Sequence, residues 1–189
     1  MKIVVARYKE DISWTNQYQN VVIYNKGSPL GINNEIMLDN VGREGHTYYR
    51  YICDNYDNLD EYTVFLQGNP VDHYTHIMQT LSRLEKAESI NEEFRFLTDL
   101  ILSSNLENCP HHKNLPLKEV YKKLFNQEKN NMEFVFGAGA LFLVSKTRIL
   151  KRPKEFYEKI VKLLEYDINP IEGFVIERFH GIIFGDKIN

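Results

Sequence analysis

Near the end of the chain, Glu177-Arg178-Phe179-His180 lies within an otherwise apolar stretch, 172–184, so a carboxylate and an imidazole stand three residues apart on neighbouring positions of one helix face. A carboxylate held in an apolar helix can carry a raised pKa and take a proton from a hydroxyl, which makes Glu177 a candidate general base. Arg178 beside it can instead draw Glu177 into a buried ion pair, and spacing leaves both readings open. A second constellation follows a β-branched run: Val64-Phe65-Leu66-Gln67-Gly68-Asn69-Pro70-Val71-Asp72-His73. Ligands of open α/β sheets bind just beyond the carboxyl ends of strands, where Gln67 and Asn69 offer neutral hydrogen-bonding groups. Asp72 and His73 can hold a divalent cation, with His180 as a distant third ligand. Asp72 is equally a natural N-cap for a following helix.

Two further loops have chemistry to offer. Arg7, Tyr8, Glu10 and Asp11 follow an apolar run, where a Rossmann-like sheet meets a base or a ribose. Val41-Gly42-Arg43-Glu44-Gly45-His46 leads into a helix, so its backbone N–H groups can receive a phosphate with Arg43 as a charged fork. Glu44 also reads as a first-turn acid that complements the helix dipole. The run is neither a Walker loop nor a G-x-G-x-x-G. Cys109 with His111-His112 has zinc-binding atoms but no second pair, and reads as an exposed loop.

The elements that must position these residues follow from apolar patterning. Residues 2–6, 20–24 and 62–66 are short β-branched runs bounded by polar clusters and predict adjacent core strands. A helix over 47–53, ending near Tyr56-Asp57-Asn58, lies between the second and third. Strand, loop, helix, strand favours an α/β fold with a mostly parallel central sheet flanked by helices. Residues 74–131 read as mostly helical, including 73–86 and 117–125. Residues 132–145 return to strand character, with Gly137 and Gly139 marking a bend, and Pro153 opens a helix carrying Phe156, Ile160 and Leu164 on one face.

At 189 residues, with no linker-like stretch, the chain predicts one domain over 1–189. It is 43% apolar and 26% charged, with net charge −3 and pI near 6.1, which argues against a nucleic-acid-binding stripe. No apolar run can span a bilayer and none forms a signal peptide, so an intracellular, cytoplasmic protein is expected. Cys53 and Cys109 lack the spacing of a disulfide framework.

As a set, A6-R-Y-K-E-D-I-S-W14, V22-I-Y-N-K-G27, N40-V-G-R-E-G-H-T-Y48, V64-F-L-Q-G-N-P-V-D-H73, G139-A-L-F-L-V-S-K-T-R-I149, R152-P-K-E-F-Y157 and E177-R-F-H-G-I-I-F-G185 resemble a domain-of-unknown-function family that is similar to compact GT-A glycosyltransferases. The match reaches both ends of the chain and skips roughly the middle third. The resemblance implies a single Rossmann-like, GT-A-like domain that moves a sugar from a nucleotide-sugar donor to a carbohydrate or other hydroxyl acceptor. It places Arg7, Tyr8, Glu10 and Lys26 at the nucleotide, and Gly42, Arg43, Gln67 and Asn69 near the pyrophosphate. By order along the chain, Glu177 corresponds to the base and His180 to a metal ligand. The Asp-x-Asp that GT-A enzymes usually carry is missing; Gln67-Gly68-Asn69 occupies its region. Both a site for Mn²⁺ or Mg²⁺ at Asp72, His73 and His180 and a metal-independent mechanism relying on Arg7, Lys26 and Arg43 therefore stay open. The alternative is a non-catalytic nucleotide-sugar or glycan-binding module on the same fold.

Overall fold

Alternation in the first strand sets the layers. In β1 (Lys2–Arg7) Val4 faces one side, and Ile3 and Val5 the other, all buried. β2 (Val21–Asn25), β3 (Glu35–Met37) and β4 (Tyr62–Gln67) join it in parallel, in the order β3-β2-β1-β4. The computed structural model describes residues 1–185; residues 186–189, part of the expected single domain, lie outside the described residues. β8 (Phe142–Ser145) pairs antiparallel with β4, and β5 (Phe94–Phe96) antiparallel with β8, which completes a mixed six-stranded sheet of order β3-β2-β1-β4-β8-β5. The fold is α/β as expected, with the parallel half carrying the strand ends of interest.

Helices cover both faces of the sheet. On the Val4 side lie α1 (Arg43–Asn55), α3 (Leu117–Phe125), α5 (Lys154–Leu164) and α6 (Ile171–Phe184), which share one core with Tyr24, Phe65 and Phe142. On the Ile3 side α2 (Ile77–Lys86) contributes Ile77 and Leu81 to a second cluster with Ile23, Val64 and Leu66. A four-residue helix, α4 (Lys146–Ile149), follows β8 and is N-capped by the Ser145 hydroxyl. No helix among the described residues is long and apolar enough to cross a membrane.

The structure corrects several boundaries. α1 starts at Arg43, four residues before the predicted helix, because Gly42 and Gly45 let its first turn press against α5: a Cβ on Gly42 would stand 2.6 Å from His46 Cβ and 2.9 Å from Leu164 Cβ. The segment predicted as helix from 73 opens instead with a 3-10 turn, Pro70–Asp72, and α2 begins at Ile77 after His76. Asp72 is therefore no N-cap. Within the stretch read as helical, β5 and β6 (Ile101–Asn105) are strands; β6 pairs with β7 (Glu133–Gly137) in a separate two-stranded ribbon. Pairing partners distant in sequence decide such short strands, and local pattern does not report them. The expected bend in 132–145 is a turn with Gly139 at φ +91° and Ala140 at φ +55°.

Gly42 at φ +65° is strained for any other residue and also closely packed, whereas Gly31, at φ +70°, has open space where its Cβ would go. Gly31→Ala should therefore cost only the left-handed backbone, about 1–2 kcal/mol, and Gly42→Ala a further ~1–3 kcal/mol of overpacking. Denaturant unfolding of both variants measures this, and equal losses would show that the α1–α5 contact is not tight.

Candidate functional site

After β1 the chain builds the sheet outward through β2 and β3, then returns to lay β4 on the other side of β1. The order reverses between β1 and β4, and a crevice outside the carboxyl ends of strands at such a reversal is the place an open α/β sheet offers a ligand. A pocket of about 120 Å³ lies there. Arg7, Tyr8, Glu10, Lys26, Arg43 and Gln67, singled out from sequence in separate loops, all line it, joined by Asn40 and Glu44. Its volume suits one phosphate- or sugar-sized group. A larger cavity of about 850 Å³ flanks the β6–β7 ribbon, where Glu133 is the one charged lining residue, and it lies off the strand ends. Convergent charge and the switch point favour the smaller pocket.

Several of these side chains first build their own loops. Arg7 donates from Nε to the Glu10 carbonyl at 3.0 Å and from Nη1 to Asn25 Oδ1 at 2.8 Å. Glu10 Oε2 accepts the Tyr8 and Lys9 amides at 2.7 and 3.0 Å, and Trp14 Nε1 ties this loop to the Gly68 carbonyl at 2.9 Å. Lys26 Nζ donates to the Val41 and Arg43 carbonyls, which fastens the end of β2 to the start of α1. Burial pushes the Lys26 pKa down to about 8, with Glu44 opposing the shift, so the ammonium persists at neutral pH.

Two of the amides expected to cradle a phosphate at the start of α1, those of Gly42 and Arg43, are already engaged. Gly42 donates to the Asp167 carbonyl at 2.8 Å and Arg43 to the Ile168 carbonyl at 3.4 Å. Gly42 thus serves the turn, and the cations that a phosphate in the pocket would meet are Arg7, Lys26 and Arg43. Arg43 extends from this turn: Nη1 donates to Asn169 Oδ1 at 3.0 Å, the guanidinium lies 4.2 Å from the Phe174 ring centre, and Nε stands 3.7 Å from Glu44 Oε2.

Glu177 reaches the same region from α6. Its Oε1 accepts the Gly139 amide at 3.0 Å, and Gln67 Nε2 donates to the Gly139 carbonyl at 2.7 Å, so Gly139 joins the end of β4 to α6. His73 closes over this glycine: a Cβ there would fall 2.3 Å from the imidazole Cγ. Glu177 Oε2 accepts from Arg178 Nη1 at 2.7 Å, so the ion pair anticipated from sequence is formed, and the Glu177 side chain keeps 14% exposure. Arg178, 3% exposed, also donates to the Phe174 carbonyl, to Cys109 Sγ at 3.1 Å and to His112 Nδ1 at 2.9 Å. The loop read as exposed therefore has Cys109 and His112 packed against a buried guanidinium, while His111 stays outside.

The set proposed for Mn²⁺ or Mg²⁺ is not brought together. Asp72 is exposed, and its Oδ2 accepts from Asn69 Nδ2 at 2.8 Å; both lie outside the pocket. His180 is 1% exposed, shares a hydrogen bond with Tyr49 Oη at 2.9 Å and lies 4.5 Å from the Phe142 ring. Its side of α6 faces the aromatic core, so it cannot join a surface aspartate. Among the described residues no group of three or more His, Cys, Asp or Glu is placed to hold a metal ion. The residues at the site that the sequence did not single out for it are Asn40, Glu44, read as a first-turn acid, and Gly139, read as a bend. The signals present were G-R-E-G and G-A-G, but local pattern cannot say that these glycines bring distant elements together.

Burial pushes the His180 pKa down to about 3, and that of His46, which is also crowded by Lys26 and Arg50, to about 4. Below the ordinary value of 6.5 the unfolded chain takes up protons that the native protein refuses. The stability is fully present above that value and falls as pH drops towards the folded pKa values, by up to about 1.4 kcal/mol per pH unit for each histidine. Urea unfolding between about pH 7.5 and 5 should show this slope, and His180→Phe should reduce it. A flat profile in wild type would contradict the burial of neutral imidazoles.

No curated protein and no solved structure matches the chain. A family model does match it over residues 3–189, almost its whole length, and takes in every residue that lines the strand-end pocket together with Gly139 and Glu177. The chain therefore belongs to the family described as protein of unknown function (DUF3431).

Proposed function

We propose that this protein transfers a glycosyl group from a nucleotide-sugar donor to an acceptor hydroxyl. The observation that carries the reading is the convergence of Arg7, Lys26, Arg43 and Gln67 on the switch point between β1 and β4, with Glu177 joined to Gln67 through Gly139. One phosphate of the donor diphosphate would enter the pocket and the remainder of the donor would lie along the strand ends, Tyr8 being 42% exposed at the rim. In the transfer the acceptor oxygen bonds the anomeric carbon as the carbon–diphosphate bond breaks. The acceptor proton passes to Glu177, and the departing negative charge is met by Arg43 and Lys26. No step is routed through a metal, since Asp72, His73 and His180 do not converge.

The non-catalytic binding module remains the second reading, because both Glu177 oxygens already accept hydrogen bonds. Turnover of a nucleotide-sugar panel separates the two: the transferase releases nucleoside diphosphate faster with acceptor present, and the module binds without release.

As a phosphate ligand, Arg43→Ala should weaken nucleoside-diphosphate binding by about 1.5–3 kcal/mol, the scale of a hydrogen bond to a charged group, with the fold retained. Unchanged affinity by calorimetry would remove Arg43 from the site.

Glu177→Gln removes proton acceptance while keeping volume and an oxygen for the Gly139 amide. It should spare donor binding and cut turnover roughly 10²–10⁴-fold. Near-normal turnover per folded molecule, accompanied by a large fall in melting temperature, would leave Glu177 as the ion-pair partner of Arg178 alone.

A further inference from the structure

The carboxylates around the strand-end pocket are not equivalent. Glu10 accepts the Tyr8 and Lys9 amides, and Glu177 accepts the Gly139 amide and the Arg178 guanidinium. Glu44 lines the pocket with a side chain 14% exposed; it accepts from its own backbone amide, and its nearest cation is Arg43, whose Nε stands 3.7 Å away, beyond hydrogen-bond reach. Two polar atoms of α1 are unused. Arg43 Nε is buried with no hydrogen-bond partner, and so is the hydroxyl of Tyr48, a side chain wholly removed from solvent. Residues 44 and 48 are four apart in α1, so the carboxyl and the phenol stand one turn apart on the same face. The Tyr48 hydroxyl also feels the charges of both Glu44 and Glu177, which places it towards the two carboxylates.

An orphaned buried hydroxyl one turn from a carboxyl is a prepared partner for the neutral acid. Protonated Glu44 can donate its O–H to Tyr48 Oη and release Arg43 towards an incoming anion; ionised Glu44 instead holds Arg43 and repels that anion. We propose that the strand-end pocket is a phosphate subsite in which a diphosphate binds together with one proton, taken from solvent onto Glu44. This rests on the reading of the pocket as the diphosphate site of the transferase.

The charged groups facing Glu44 set the direction. Burial is the largest influence and, with Glu177 from α6, favours the acid; Arg43 on its own helix, the Glu44 backbone amide and Lys26 at the end of β2 favour the carboxylate, and the Glu44 pKa lies above the ordinary value. Across the pocket Arg7 and Glu10 face it with opposite charges. A bound diphosphate adds negative charge beside Glu44 and raises it further. Affinity should therefore fall as pH rises, by up to about tenfold per pH unit, from the Glu44 midpoint of the free protein to that of the complex.

Inorganic pyrophosphate titrated into the full chain, in buffers of different protonation enthalpy from about pH 5.5 to 8, counts the protons taken up, and E44Q subtracts the titration of the ligand itself. Wild type should take up about one proton more than E44Q, and E44Q should bind more tightly at the upper end of the range. Tyr48→Phe, which removes the acceptor of the acid proton, should lower the uptake and serves if E44Q does not fold. Binding with equal proton counts in wild type and both variants would overturn the proton-linked subsite and leave the proposed transferase standing. No binding by wild type at any pH would overturn both.

Discussion

The site depends on how closely α1 approaches α5 at its first turn. Gly42 leaves no room for a side chain between His46 and Leu164, and its left-handed backbone turns the chain from the loop after β3 straight into the helix. The bonds from its amide and that of Arg43 to the Asp167 and Ile168 carbonyls draw in the segment before α6. Lys26 then reaches across from β2 to the carbonyls on either side of Gly42. One tight turn thus sets the relative positions of β2, α1 and the approach to α6, and with them Lys26, Arg43 and Glu44.

Gly139 performs the corresponding service on the other side. Its carbonyl accepts from Gln67 and its amide donates to Glu177, and the His73 ring occupies the space a side chain would need. The carboxylate of Glu177 is therefore positioned by the backbone as well as by Arg178. A buried ion pair contributes little net stability because both charges are desolvated, but removal of one partner strands the other. That asymmetry suits a pair kept for geometry, with Arg178 further held by Cys109, His112 and the Phe174 carbonyl.

Charge around the pocket is finely divided. Cations from three separate elements meet carboxylates that differ in the N–H donors they accept, while the Gly42 and Arg43 amides are spent on the Asp167 and Ile168 carbonyls. The aromatic core behind it, in which His180 lies against Tyr48, Tyr49 and Phe142, supplies rigidity.

The sequence by itself determined the central strands, the helices flanking them and the residues at the strand ends. Runs such as 2–6 and 62–66 are apolar enough to be buried on both faces, and a strand end in an open α/β sheet is a place for polar residues whatever the partners. It determined equally that Glu177 and Arg178 would contend for one another. Only the tertiary structure decided that β5 and β6 are strands, that Cys109 and His112 rest on Arg178, that Asp72 and His180 stay apart, and that Glu44 faces the pocket while the Tyr48 hydroxyl is left unpaired. The physical reason is the same in each case: local periodicity reports which face of an element is buried, whereas pairing, ligation and charge balance depend on contacts between residues far apart in the chain.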